Sequence, residues 1–257
     1  MRKLGYLVVE GPHDVAFADR LIRSRFPVER IKDFKTHDET LKVLVPSSFP
    51  HAGDLEKRVP VPLFLQNEHM AIAIHAAGGD SKVASCLAGT LDVISAESFF
   101  ALGVLLDTDS AKTPDERYEA LLRSLEPLGI NLSKRPGAVN PGPPKTGAFV
   151  LPDNVVQGTL EDLLLESAEL AYPKQLAAAQ TFVSGIAPEC AGVEFADLMK
   201  PAGRKKAVIG SMVSLLRPGK AMQVSIQDNQ WLKGDALQLA RIKRIADFLD
   251  ELFALTL

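Results

Sequence analysis

The chain has 257 residues, 46% of them hydrophobic and 24% charged, with a formal net charge of −3. Such a chain can bury a sizeable core and is no basic wrapper of nucleic acid, so any nucleic-acid contact must come from local patches or bound metal. Cys86 and Cys190 stand far apart with no CxxC pair, which excludes a zinc ribbon and a disulfide framework and fits a reducing cytoplasm.

The N-terminal residues run straight into a short strand, Tyr6–Val9, leaving no room for the apolar region of a signal peptide. No stretch approaches the ~20 apolar residues of a spanning helix. A cytoplasmic protein without a membrane partner is expected. After Tyr6–Val9, Gly11-Pro12 opens a helix whose apolar face is Val15, Phe17, Ala18, Leu21 and Ile22, and Phe26-Pro27 ends it. Residues 32–68 read as a long insertion, with strands expected at Leu41–Val45 and Pro62–Leu65 and the rest a lid or binding loop.

Ala71–His75 is the second core strand; Ser81 or Asp80 is expected to cap a helix from Lys82 to about Val93. Ala101–Leu106 is the third. Thr113-Pro114-Asp115-Glu116 is a capping box with proline at the first helical position, which predicts a helix over Pro114–Leu128 ended by Gly129. A proline- and glycine-rich loop, Pro136–Pro144, precedes a fourth strand, Gly147–Leu151. A helix follows from Thr159 to about Ala171. Beyond it the text is mainly helical, most clearly at Asp235–Leu255, where Leu239, Ile242, Ile245, Phe248, Leu249 and Leu252 share one face. The expected fold is α/β: a mainly parallel sheet of about four core strands flanked by helices, with the insertion and a helical C-terminal extension. Residues 1–171 form the first unit, and 172–257 pack on it.

Two acidic clusters fall at strand ends, Glu10 with Asp14 and Asp107 with Asp109. Ligands of open α/β sheets bind at that edge, and gathered carboxylates repel unless a cation or proton intervenes, which suits Mg2+ or Mn2+. Asp107 and Asp109, two apart in an extended segment, point the same way, and the local capping duties already belong to Ser110, Thr113 and Glu116. For Asp14, preference for the positive end of the helix dipole is an equally good explanation. Glu161 is unremarkable at a helix start and gains interest only from company. Gly78-Gly79 either lets the backbone approach a phosphate or simply makes a tight turn. His13 is the histidine near the acids. From Leu198 to Gln227 there is no acidic residue, while Lys200, Arg204, Lys205, Lys206, Arg217 and Lys220 are present, making that stretch the best candidate for phosphate contact, although charge runs are commonly solvated faces.

The ordered set Glu10-Gly11-x-x-Asp14, Gly78-Gly79, Asp107-x-Asp109 and Thr159-x-Glu161 resembles the Toprim (topoisomerase–primase) domain over about residues 4–171, most closely that of overcoming-lysogenization-defect nucleases and of small prokaryotic Toprim-related proteins. The resemblance implies a Toprim-like sheet and a two-metal carboxylate site, holding one or two ions of Mg2+ or Mn2+, that hydrolyses phosphodiesters. Glu10 and Asp14 would help hold one metal, Asp107 and Asp109 would bind or bridge metals, and Glu161 would complete the second position; Glu10, Asp107, Asp109 and Glu161 would be catalytic. Thr159 stands where related nucleases often carry serine. Gly78, Gly79, Thr159 and one of Lys205, Lys206 or Lys220 would meet phosphate. No GxxxxGK[ST] loop exists, so an ATPase would be a separate polypeptide. A topoisomerase nucleophile would have to be Tyr172, since Tyr6 is in a core strand and Tyr118 in a helix. Nucleic acid, DNA or RNA, is the expected partner, with a homodimer left open. Competing readings are a non-catalytic metal- or nucleic-acid-binding regulatory protein and a hydrolase or transferase of small nucleotides.

Overall fold

The computed structural model describes residues 2–47, 61–108, 112–186 and 192–256. Seven strands form one sheet in the order β2-β3-β4-β1-β5-β7-β6, built from β1 (Lys3–Val9), β2 (Glu29–Ile31), β3 (Leu63–Gln66), β4 (Met70–Ala76), β5 (Ala101–Asp107), β6 (Val139–Asn140) and β7 (Lys145–Leu151). The four apolar runs are the four central strands. β4, β1, β5 and β7 pair in parallel, while β2, β3 and β6 add antiparallel edges.

The central strands are buried on both faces, and the period of two sorts their side chains. In β1, Leu7 and Val9 face one core and Leu4, Tyr6 and Val8 the other. The second core is covered by α2 (Val83–Leu91) and α3 (Pro114–Leu125). The first is covered by α1 (Pro12–Arg25), α4 (Leu160–Ala171), α5 (Pro173–Ile186), α6 (Gly203–Leu216), α7 (Met222–Asp228) and α8 (Ala240–Phe253). The C-terminal part is helical as expected, and its core is continuous with that of the sheet.

α8 lies directly on β5 and β7. Its stripe of Ile242, Ile245, Phe248, Leu249 and Leu252 is buried, each side chain contributing on the order of 2 kcal/mol. Three strand glycines let it approach. A Cβ on Gly5 would stand 2.8 Å from the Phe253 ring, on Gly103 2.6 Å from Leu252, and on Gly147 2.9 Å from Phe248.

Several local expectations need correction. Leu41–Leu44 is a turn of 3-10 helix, not a strand; three apolar residues around Lys42 are too few to fix a period and fit either state. The insertion is less of an excursion than its prolines suggest, because β3 pairs with β4 and β2 with β3; residues 48–60 lie outside the described part. The Lys82 helix begins as 3-10 turn Asp80–Lys82, and neither Ser81 nor Asp80 caps α2 by a side-chain hydrogen bond. α3 stops at Leu125, and a 3-10 turn carries the chain to Gly129, whose φ is +69°. The Thr113 box is formed, with Glu116 N–H donating to Thr113 Oγ1 at 3.2 Å and Thr113 N–H to Glu116 Oε2 at 2.8 Å. Among the described residues, no helix is long and apolar enough to cross a membrane.

Candidate functional site

β1 and β5 are adjacent and parallel, so their carboxyl ends bring Glu10 beside Asp107. Glu10 Oε1 accepts the Asp107 main-chain N–H at 2.9 Å. Asp14 sits in the first turn of α1 and accepts the Gly11 N–H through Oδ2 at 2.9 Å. Asp107 Oδ1 accepts the Leu160 N–H at 2.9 Å, joining the end of β5 to the start of α4. Glu161, the next residue of that helix, is buried. Glu10, Asp14, Asp107 and Glu161 thus line one cavity of about 390 Å3, together with His13, Gly78, Gly79 and Lys206.

The electrostatics follow from that gathering. Burial, then the Glu10 charge and more weakly Glu161, push Asp14 up to about 7, against the pull of the Gly11 N–H. Asp107 is held well above the ordinary carboxylate range by burial and by Asp14, Glu10 and Glu161, with the Leu160 N–H opposing. The His13 imidazole is pushed down by burial, with Glu161 raising it and Lys206 lowering it. Two buried acids whose proton affinity is raised by burial and by each other mark a site short of positive charge.

One basic residue in the site escaped the sequence reading. Arg117, in α3, is buried. Its Nη2 donates to Glu10 Oε1 at 2.8 Å, its Nη1 to Asp80 Oδ2 at 3.2 Å and its Nε to the Asp107 carbonyl at 3.0 Å. A planar guanidinium fork suits that three-way bridge where a lysine ammonium would not. The signal was available: Pro114, Arg117, Tyr118, Leu121 and Leu125 share the buried face of α3, so an arginine occupies a core position of an amphipathic helix. Asp80, expected as a cap, is instead the partner of Arg117.

The remaining candidates divide. Gly78 and Gly79 have positive φ, 82° and 133°, and both their N–H groups donate to the Glu10 carbonyl at 3.0 Å. They therefore make the tight strand-to-helix turn, and their amides are not aimed at a phosphate. Lys206 Nζ lies 4.0 Å from Glu161 Oε1; Lys205 Nζ pairs with Asp162 Oδ1 at 2.6 Å. Lys220, in the turn after α6, lines neither the acidic cavity nor the cleft beside it. Thr159 precedes α4 and is buried. Tyr172 is packed in the core against Trp231, its hydroxyl accepting the Gln230 N–H, which gives it a structural role in place of a nucleophilic one. Asp109 lies outside the described residues, as does Ser110. Among the described residues, no three His, Cys, Asp or Glu side chains converge tightly enough to hold an ion as they stand.

Residues 5–254 match the family model described as "Protein of unknown function (DUF3226)". The chain belongs to this family. A solved structure, that of a hypothetical protein from Pyrococcus horikoshii OT3, superposes with a TM-score of 0.54 at 18% identity, covering 98% of this chain and 95% of that one. At that identity the likeness concerns the fold alone. No curated protein matches. These findings overturn the Toprim resemblance, because the family that matches is DUF3226 and its relative carries no Toprim assignment. The physical reason lies in the motif: acids at the carboxyl ends of neighbouring parallel strands are a property of open α/β sheets in general, and a few of them do not single out one family.

Proposed function

We propose that this DUF3226 protein is a divalent-metal-dependent phosphodiester hydrolase, a nuclease whose metal is held by Glu10, Asp14, Asp107 and Glu161. The observation that carries this reading is that acids from three distant parts of the chain line one cavity at the carboxyl edge of a parallel sheet. The donor set fits hard cations, because every candidate ligand is a carboxylate oxygen. With Asp14 and Asp107 ionised, four carboxylates there would face two basic groups, Lys206 and an Arg117 shared with Asp80, an imbalance that a divalent ion would offset.

Bound Mg2+ or Mn2+ would supply Lewis-acid polarisation of a phosphoryl oxygen. The chain's own groups do the rest. Arg117 and the Asp107 N–H fix Glu10 Oε1 in place. Asp14 and Asp107 give up their protons as a cation arrives, since metal ligands must be deprotonated. Lys206, beside Glu161, is the cation placed to face charge on a transferring phosphate.

A second reading, a non-catalytic metal- or nucleic-acid-binding regulatory protein, is favoured by the Arg117 clamp on Glu10 and by the absence of a ready three-ligand cluster among the described residues. The deciding experiment incubates single- and double-stranded DNA and RNA with the protein in Mg2+, Mn2+ or EDTA, comparing wild type with Asp107→Asn. Metal-dependent cleavage that drops at least 100-fold in the variant is expected. No cleavage with either metal, or equal cleavage by the variant, rejects the hydrolase; tight binding without turnover installs the second reading.

A further inference from the structure

Beside the acidic cavity, and sharing Lys206 with it, lies a cleft of about 710 Å3 lined by Gln157, Gly158 and Thr159 on one side and by the segment from Asp197 to Lys206 on the other. We propose that this cleft is a metal-independent phosphate subsite, taking a phosphate of a nucleic-acid strand adjacent to the one presented to the carboxylates. It deepens the hydrolase reading and rests on it for the word "adjacent", but the binding itself does not need the metal.

Three independent features point to an anion. The first is charge: Lys200, Lys205 and Lys206 line the cleft against a single acid, Asp197. For two of them the present partners are weak competitors, because Lys200–Asp197 at 2.5 Å is an exposed pair and Lys205–Asp162 at 2.6 Å a half-exposed one, and such pairs contribute little; Lys206, 4.0 Å from the buried Glu161, is shared with the acidic cavity. The second is direction. α6 begins at the cleft, at Gly203, and the residue preceding α4, Thr159, lines it too, so the positive end of the α6 dipole faces the cleft while the first amide of α4 is taken by Asp107.

The third is Thr159. The capping-box arrangement sets its hydroxyl beside the Asp162 N–H. That N–H, however, donates to the Thr159 carbonyl at 3.1 Å, and Asp162 Oδ2 accepts the Thr159 N–H at 2.9 Å. Thr159 Oγ1 is left buried with no hydrogen-bond partner among the described residues. A buried hydroxyl without a partner costs about 1–3 kcal/mol, and a phosphate oxygen admitted by a small shift of the cleft lining would supply the missing acceptor. The strand follows from the geometry: Lys206 borders both compartments, so one chain of phosphodiesters can lie across it with consecutive groups in cleft and cavity.

The test is binding in EDTA, where no metal contributes, with inorganic phosphate and a fluorescent pentathymidylate as separate probes. Wild type is expected to bind the oligonucleotide with a clear salt dependence. Lys200→Ala with Lys205→Ala should weaken it at least tenfold and reduce the log–log salt slope by about 1.4, at roughly 0.7 per phosphate contact for single strands. Thr159→Val should weaken it several-fold. Lys200→Glu, at an exposed position, keeps the test valid where the buried threonine variant fails to fold, and should abolish binding. Oligonucleotide binding that ignores all these changes, capture of inorganic phosphate without the oligonucleotide, or no binding of either overturns the proposal. Loss of metal-dependent cleavage alone would instead count against the hydrolase reading, so the two failures are distinguishable.

Discussion

Asp14→Asn separates the electrostatic strain of the acidic cavity from its folding role. Asparagine keeps an oxygen to accept the Gly11 N–H and removes the charge. In the folded protein Asp14 is pushed up to about 7 from 3.8. Between those pH values the folded state holds a proton that the unfolded chain has released, so stability falls as pH rises through that window. The penalty is absent below about pH 4 and complete above about pH 7. A shift of about three units at 1.36 kcal/mol each is roughly 4 kcal/mol. Burial is the larger cause, with the Glu10 and Glu161 charges adding to it; asparagine removes the charge but stays buried as a polar group, so Asp14→Asn should recover about half of the penalty. In EDTA at pH 8, a gain of about 2 kcal/mol is expected, seen as a melting temperature higher by about 4–8 °C for a domain of this size. In wild type, Mn2+ at a hundredfold excess over its dissociation constant should add about 2.7 kcal/mol, and in Asp14→Asn much less. Thermal unfolding from pH 4 to 8, with and without Mn2+, reads both effects. A variant less stable than wild type at pH 8 in EDTA, or a wild-type profile flat across the window, would refute the reasoning.

Other outcomes follow from the same packing. Arg117→Met leaves Glu10 and Asp80 without their cation and should cost about 3–5 kcal/mol in urea unfolding; Arg117→Lys should restore little, since a single ammonium nitrogen lacks the spread by which Nε, Nη1 and Nη2 each meet a different acceptor, and full rescue would refute the clamp. Gly103→Ala drives a Cβ into Leu252 and should destabilise by about 1–3 kcal/mol, an effect that Leu252→Val should partly relieve in a double-mutant cycle; strict additivity would contradict the close approach of α8. Thr113→Ala should cost about 1 kcal/mol by opening the α3 capping box, measured by the same denaturation midpoint.

The four central strands were legible because each is an apolar run bounded by turn residues, buried on both faces. β2 and β6 were not, since Glu29–Ile31 and Val139–Asn140 are too short to carry a period. Leu41–Leu44 shows the converse failure, a mostly apolar segment broken by Lys42 that folds as 3-10 helix and not as a strand. In the site, the convergence of Glu10 with Asp107 could be inferred once two parallel strands were placed side by side. Glu161 and Lys206 were named only through the resemblance and the acid-free basic stretch, because their arrival depends on how α4 and α6 pack. Arg117 was readable in principle as a charge at a buried helical position. The family was not readable from the acids, which report the sheet edge and not ancestry.

The most direct test of the account is a crystal grown or soaked with Mn2+ and measured at the manganese absorption edge. An anomalous peak ligated by carboxylates among Glu10, Asp14, Asp107 and Glu161 is the expected result. Mn2+ sites elsewhere on the protein, with that cavity empty at saturating metal, would contradict it.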